Sequence, residues 1–200
     1  MGLACEGLSR RRQARLFPDL AGYHLLGNRG LTSDDTEHAC MLAQALIASG
    51  GEEHAFARSL AWRLRFWLAG LPAGIGLATL RSILRLWIGF PPHRSGVDSA
   101  GNGPAMRVAL IGVCHGGDAA RFAALVGSAT RITHTDIRAL HGALAVALAA
   151  HQSAGAADRV DFAAYRAALA GLTGDHGELI GLVDRVGASL AAGNDTATFA

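Results

Sequence analysis

The chain has no lysine: all 18 of its basic residues are arginine. This is read as a bias of coding toward GC-rich codons rather than as chemistry. With a formal net charge of +2 and only 6% aromatic residues, it carries no basic stripe interleaved with aromatics, so a nucleic-acid footprint is not supported. Its one basic run, Arg10-Arg11-Arg12 with Arg15, reads as a solvated face. Cysteine is scarce. Cys5, Cys40 and Cys114 are odd in number, far apart and form no C-x-x-C pair, so no disulfide framework is indicated. Cys40 and Cys114 fall within apolar helical patterns and read as small core residues, which suits a reducing cytoplasm. The N-terminus lacks the layout of a signal peptide. The most apolar run, Gly142 to Ala150, is too short to span a bilayer. Strand-like alternation, a Walker loop and a nucleophile elbow are all missing. The expectation is a cytoplasmic chain that contacts neither membrane nor nucleic acid.

What is present is helical and compact. The chain has 200 residues, half of them hydrophobic and 17% charged, which suits one domain over 1–200 with a sizeable core. Apolar residues recur at i, i+3, i+4 and i+7 in Thr36–Ser49, in Phe56–Leu68 and in Leu77–Ile88. Gly70 with Pro72, and Gly89 with Pro91-Pro92, end the second and third of these helices. Gly103-Pro104 predicts a helix start continuing through Met106 to Cys114. Further helices are predicted from Asp118 to Ala129, from Thr135 or Asp136 to about His151, from Asp161 to Leu172 and from Glu178 to Ala191. The Ala- and Gly-rich segment Asp136 to Ala150 suggests close helix packing. The longest irregular stretch, Pro91 to Gly103, is a candidate functional loop.

Three segments could carry chemistry. In Thr32-Ser33-Asp34-Asp35-Thr36-Glu37, a hydroxyl and two adjacent carboxylates precede a helix. Such hard oxygens suit Mg²⁺, Mn²⁺ or Ca²⁺. Asp34 and Glu37 also have capping-box spacing, and acids at a helix start complement its dipole. Both readings stand on spacing alone. In Ser99-Ala100-Gly101-Asn102-Gly103-Pro104-Ala105-Met106-Arg107, a glycine-rich turn leads toward the predicted helix start. It is either an ordinary loop and cap or a cradle for a phosphate. In Ile132-Thr133-His134-Thr135-Asp136, His134 either donates to a ribose hydroxyl or phosphate, or sits satisfied beside a cap by Thr135 or Asp136. His134 and His141 share a helical face but lack further ligands for zinc. His38, one turn after Asp34, is placed to support that segment only indirectly.

Taken in order, these segments resemble the ADP-ribosylglycohydrolase family, which includes the dinitrogenase-reductase-activating glycohydrolases. Ser33-Asp34-Asp35-Thr36-Glu37 matches the family's T-D-D-T/S-E/Q motif, with Ser33 where Thr is usual. Gly101-Asn102-Gly103-Pro104-Ala105-Met106-Arg107 matches G-N-G-A-A-M-R, with Pro104 replacing one Ala. Thr133-His134-Thr135-Asp136-Ile137-Arg138-Ala139 is similar to S/T-H-x-x-P/R-A. The resemblance implies an all-α, orthogonal multi-helix domain. It implies a site of two Mg²⁺ ions, or Mn²⁺ in some members, with Ser33, Asp34 and Asp35 as ligands and Asp34 and Asp35 as catalytic residues. It also implies that Ser99, Ala100, Gly101, Asn102, Gly103 and His134 bind ADP-ribose. The reaction implied is metal-dependent hydrolysis of the bond between ADP-ribose and a modified side chain, with an ADP-ribosylated protein or a small ADP-ribosyl compound as substrate. The opening G-x-x-x-G-D-A-L-G motif is matched only loosely by Gly2 to Ser9, with Glu6 in place of its Asp and Gln13 where a later Glu is usual. The family's C-terminal G-G-D-T-D-T segment has no counterpart, and Asn194-Asp195-Thr196 has a different context. The expectation is therefore the N-terminal portion of the family fold, incomplete, with apolar faces such as that of Leu77 to Ile88 left uncovered. The alternative is a binding module that keeps ADP-ribose but has lost hydrolysis.

Overall fold

A computed structural model describes residues 8–18, 30, 32–72, 74–156, 160–174 and 177–194. Among them no strand forms, and the fold is all-α. The helices are α1 (Arg10–Leu16), α2 (Asp34–Ser49), α3 (Glu53–Ala69), α4 (Leu77–Trp87), α5 (Ala109–His115), α6 (Ala119–Arg131), α7 (Ile137–Gly155), α8 (Phe162–Thr173) and α9 (Glu178–Ala191), with a short 3-10 turn at Pro92–Arg94. None of the described helices is long and apolar enough to cross a membrane.

Local chemistry fixes where these helices begin. The carboxylates of Asp118, Asp136 and Asp161 accept from backbone N–H groups of Arg121, Arg138 and Ala163, so each caps the helix that follows it. Glu52 does the same for α3, taking bonds from His54 (2.8 Å) and Ala55 (2.7 Å). Helix α2 ends at Gly50, whose φ of 58° is left-handed, and Gly51 follows at 75°. Arg121 of α6 clasps both glycine carbonyls, through Nε to Gly51 (3.1 Å) and Nη2 to Gly50 (3.2 Å). The α2–α3 turn is thereby tied to the start of α6.

The core lies where α3, α6 and α7 meet α2 and α5, around Leu42, Phe56, Leu60, Leu64, Ile111, Leu125 and Ala143. Helices α5 and α7 approach closely because Gly112 has no side chain: a methyl there would overlap the Ala147 carbonyl. On the α7 side the small residues that serve this packing are the fully buried Ala143 and Ala147. Helices α8 and α9 attach through α7, burying Leu169 and Ile180 and pairing Arg166 with Asp184 (2.8 Å). The outer face of α3 and α4 stays open, with Trp62 and Phe66 stacked at 6.0 Å and Phe66 against Trp87 at 6.5 Å.

Three sequence expectations are corrected. Helix α2 starts at Asp34, so the acid pair lies in its first turn rather than ahead of it. Gly103-Pro104 does not open an α-helix. Residues 103–108 form turns, and α5 begins at Ala109. One turn closes there, through Met106 N–H to the Asn102 carbonyl (3.2 Å), before Arg107 takes its side chain inward. Cys40 and Cys114 are exposed, because each lies on the outward face of a helix whose other side packs.

Candidate functional site

The acid segment does not cap its helix in the manner its spacing allows. Ser33 occupies the N-cap position but makes no side-chain cap bond. Its hydroxyl donates to Asp35 Oδ2 (3.1 Å). Asp34 accepts from the adjacent Asp35 N–H (3.1 Å). Glu37, which a capping box would turn back toward the N-cap, instead accepts from Trp67 Nε1 at 2.6 Å. The oxygens of Asp34 and Asp35 are thus left facing a cleft. Burial, and then the neighbouring Asp35 charge, raise the Asp34 carboxyl above its ordinary range.

That cleft has a volume of about 500 Å³, the size of a small-ligand site. Asp34 and Asp35 line one side. Ser99, Gly101, Asn102, Gly103 and His134 line it as well. Three segments distant in sequence therefore converge. Ser33 joins through its bond to Asp35, whereas Ala100 is exposed and does not line the cleft. Sequence reading missed Gly74, Gly76, Leu77, Ala78, Thr79 and Met106, which complete the wall. The glycine-rich turn between α3 and α4 was the available signal for the first two. A second hollow, about 510 Å³, lies beside Glu53, Arg58, His93 and Arg131 and contains none of the predicted residues.

The glycine turn is shaped around His134. A Cβ on Gly101 would come within 3.0 Å of His134 Nε2, and one on Gly103 within 2.9 Å of its Cε1. Both contacts are tight enough to displace the ring. The ring's backbone is held by a parallel bridge between Val97 and His134. Val97 donates to the Thr133 carbonyl (3.1 Å), Thr135 donates to Val97 (3.0 Å), and Ser95 Oγ donates to Ile132 (2.7 Å). The long loop after α4 thus serves as the rail that seats His134. Because the helix after the glycine turn begins only at Ala109, the turn offers an anion its backbone without a helix dipole behind it.

Beneath the cleft lies Arg107, fully buried and without a carboxylate partner among the described residues. Its Nη2 donates to the Ala129 carbonyl (2.7 Å) and to Thr133 Oγ1 (2.6 Å), and its Nη1 to His38 Nδ1 (3.1 Å). Burial lowers its pKa to about 10, which leaves it charged at neutral pH. Burial, and then the Arg107 charge, push His38 down to about 3 and His134 down to about 4. Both imidazoles are therefore neutral. The third predicted histidine, His141, has no role in the cleft.

Among the described residues no group of three or more His, Cys, Asp and Glu side chains is arranged to hold a metal. The donors present are two carboxylates and a hydroxyl. They fit one hard cation that keeps most of its water, since Mg²⁺ is commonly held by one or two carboxylates. Glu6 and Asp195-Thr196 lie outside the described residues.

Among the described residues the scaffold is all-helical, and the acid pair, the glycine turn and His134 line one cleft. The ADP-ribosylglycohydrolase family model matches residues 1–198, and the chain belongs to that family. It is also 32% identical over 155 residues to an uncharacterized protein of Archaeoglobus fulgidus, a match covering 74% of this chain and 50% of that one. The chain spans about half the length of that relative.

Proposed function

We propose that this chain binds ADP-ribose in the Asp34–Gly103–His134 cleft and hydrolyses its bond to a modified side chain or small compound with the help of Mg²⁺. The observation that carries this is the convergence of the three motif segments on one cleft of about 500 Å³. Ser33, Asp34 and Asp35 would hold Mg²⁺, or Mn²⁺. A bound divalent cation supplies Lewis acidity and lowers the pKa of a coordinated water. The raised Asp34 carboxyl supports this role, because two like charges at the mouth of a cleft are relieved by a cation between them.

The remaining roles belong to the chain itself. Gly101 and Gly103 leave the turn without side chains, so the diphosphate or distal ribose can approach its backbone closely. His134 stands behind them as a neutral ring at the cleft wall. Asp34 and Asp35, which line the same cleft, would hold the cation and orient the ribose hydroxyls and the attacking water. The unpaired Cys40 and Cys114 suit a reducing cytoplasm, where we place the chain.

A second reading is favoured by the lack, among the described residues, of a third His, Cys, Asp or Glu placed to hold a metal with Asp34 and Asp35: ADP-ribose binds and hydrolysis is lost. Calorimetry with ADP-ribose, with and without Mg²⁺, tests binding. Release of ADP-ribose from an ADP-ribosylated peptide separates the two readings. Binding strengthened by Mg²⁺ together with release supports the enzyme. Binding without release supports the module, and no binding in either condition refutes both.

A further inference from the structure

The hydrogen bonds around Arg107 determine where the protons sit on two neutral histidines. A guanidinium has donors and no acceptor. His38 Nδ1, which receives Arg107 Nη1 at 3.1 Å, must therefore present its lone pair, and the His38 proton is on Nε2. The same logic extends through Thr133. Its Oγ1 accepts from Arg107 Nη2 at 2.6 Å, and its single hydroxyl proton has two possible destinations. One is the Thr130 carbonyl at 3.5 Å, which already accepts the N–H groups of Thr133 (3.0 Å) and His134 (2.8 Å). The other is His134 Nδ1 at 2.9 Å, which has no other partner. Distance and competition both favour the second. The His134 proton is then on Nε2, which makes no hydrogen bond among the described residues and belongs to a ring lining the cleft beside Gly101 and Gly103.

We propose that Arg107 and Thr133 are positioning residues that hold His134 in its Nε2–H form, so that the ring offers the cleft a fixed hydrogen-bond donor and recognises an acceptor oxygen of the ligand, on a phosphate or a ribose. The ligand part rests on the binding reading given above; the tautomer part does not. The ring in this form is not a base toward the ligand, because its only lone pair is turned inward to Thr133. Arg107 also joins the two walls. Through His38 it grips α2, one turn after Asp34, and through Thr133 it grips the segment that carries His134. A charge buried in this way, with no carboxylate to meet it, is a costly means of holding helices together and a precise means of directing protons.

The test is the position of the ring proton in the apo protein at pH 7, read from long-range ¹H–¹⁵N spectra of the histidine side chains. The wild-type chain is expected to show His134 protonated on Nε2. In Thr133→Val, which keeps the shape and removes the hydroxyl, Nδ1 loses its donor and the ring is expected to shift to a mixture of tautomers. A thermal melt confirms that this variant folds. Arg107→Met is expected to mix the tautomers too, because the Thr133 hydroxyl is no longer oriented by the guanidinium and can turn its proton away from Nδ1. If that variant fails to fold, Thr133→Val alone decides. His134 protonated on Nδ1 in the wild type, or a ring unchanged in a folded Thr133→Val, overturns the proposal. Affinity for ADP-ribose in Thr133→Val is expected to drop by about tenfold, the scale of one hydrogen bond. A tautomer that switches in a protein that never binds ADP-ribose supports the positioning role and overturns the ligand.

Discussion

The stability of this fold should collapse faster with acid than its surface charges explain, and His38 is the reason. The side chain is fully buried, its Nδ1 committed to Arg107 at 3.1 Å and its ring set edge-on to Trp67 at 4.4 Å between centroids. Burial, and then the charge of the adjacent guanidinium, disfavour a second proton and push the folded-state pKa down to about 3. The unfolded chain titrates near the ordinary histidine value of about 6.5. Between those values the unfolded state binds a proton that the folded state refuses, so stability falls as the pH falls from about 6.5 toward 3. The contribution is fully present above the unfolded value. From pH 7 to pH 5 the loss from this one residue amounts to about 2 kcal/mol, at roughly 1.4 kcal/mol per pH unit below the unfolded pKa. His134 is displaced in the same direction and adds to the loss. The control is His38→Asn, whose amide oxygen can replace Nδ1 as the acceptor for Arg107 and does not titrate. Urea unfolding of both proteins at pH 7 and pH 5 gives a double difference in which the other histidines cancel. The wild type is expected to lose about 2 kcal/mol more than the variant across that interval. Equal losses would refute the assignment of His38 as a neutral buried acceptor.

Other perturbations follow from the same contacts. Gly112→Ala places a methyl on the Ala147 carbonyl and should cost roughly 2–4 kcal/mol in chemical denaturation, well above an ordinary Gly-to-Ala change in a helix. Asp34→Asn should melt no lower than the wild type in the absence of divalent cations, because it removes a carboxylate whose charge is disfavoured. The same variant, and Asp35→Asn, should lose any Mg²⁺-dependent release of ADP-ribose, and full activity in both would remove the metal assignment. Gly103→Ala should displace the His134 ring and weaken ADP-ribose by about tenfold or more in calorimetry, with a small change in melting temperature.

What could be read in the sequence was whatever depends on neighbours along the chain. Helices α3, α4, α6, α7, α8 and α9 lie close to where their apolar spacing puts them, and Asp118 and Asp136 cap as their positions suggest. What could not be read depends on neighbours in space. Glu37 has the spacing of a capping residue, yet Trp67, thirty residues away, offers it an indole N–H and takes it out of the cap. Gly103-Pro104 has the composition of a helix start, yet the turn that follows serves to carry Arg107 into the interior, and the helix waits until Ala109. Cys40 and Cys114 share a residue type with core positions but fall on outward faces.

Arg107 shows most clearly why the site exceeds its motifs. In the sequence it is only the last letter of a glycine-rich segment, and an arginine is ordinarily assigned to the surface. Placed in the interior without an acid, it loses hydration that three hydrogen bonds to a carbonyl, a hydroxyl and an imidazole replace only in part, and its Nε has no partner among the described residues. A fold selected for stability alone would replace it with an apolar side chain of similar volume. The bonds it makes are the ones that join α2, which bears Asp34 and Asp35, to the segment that bears His134. A side chain that could accept as well as donate would leave both imidazoles free to exchange protons. One that only donates assigns a lone pair to His38 directly and, through Thr133, to His134. The cost in stability and the order imposed on the cleft are two results of the same buried charge.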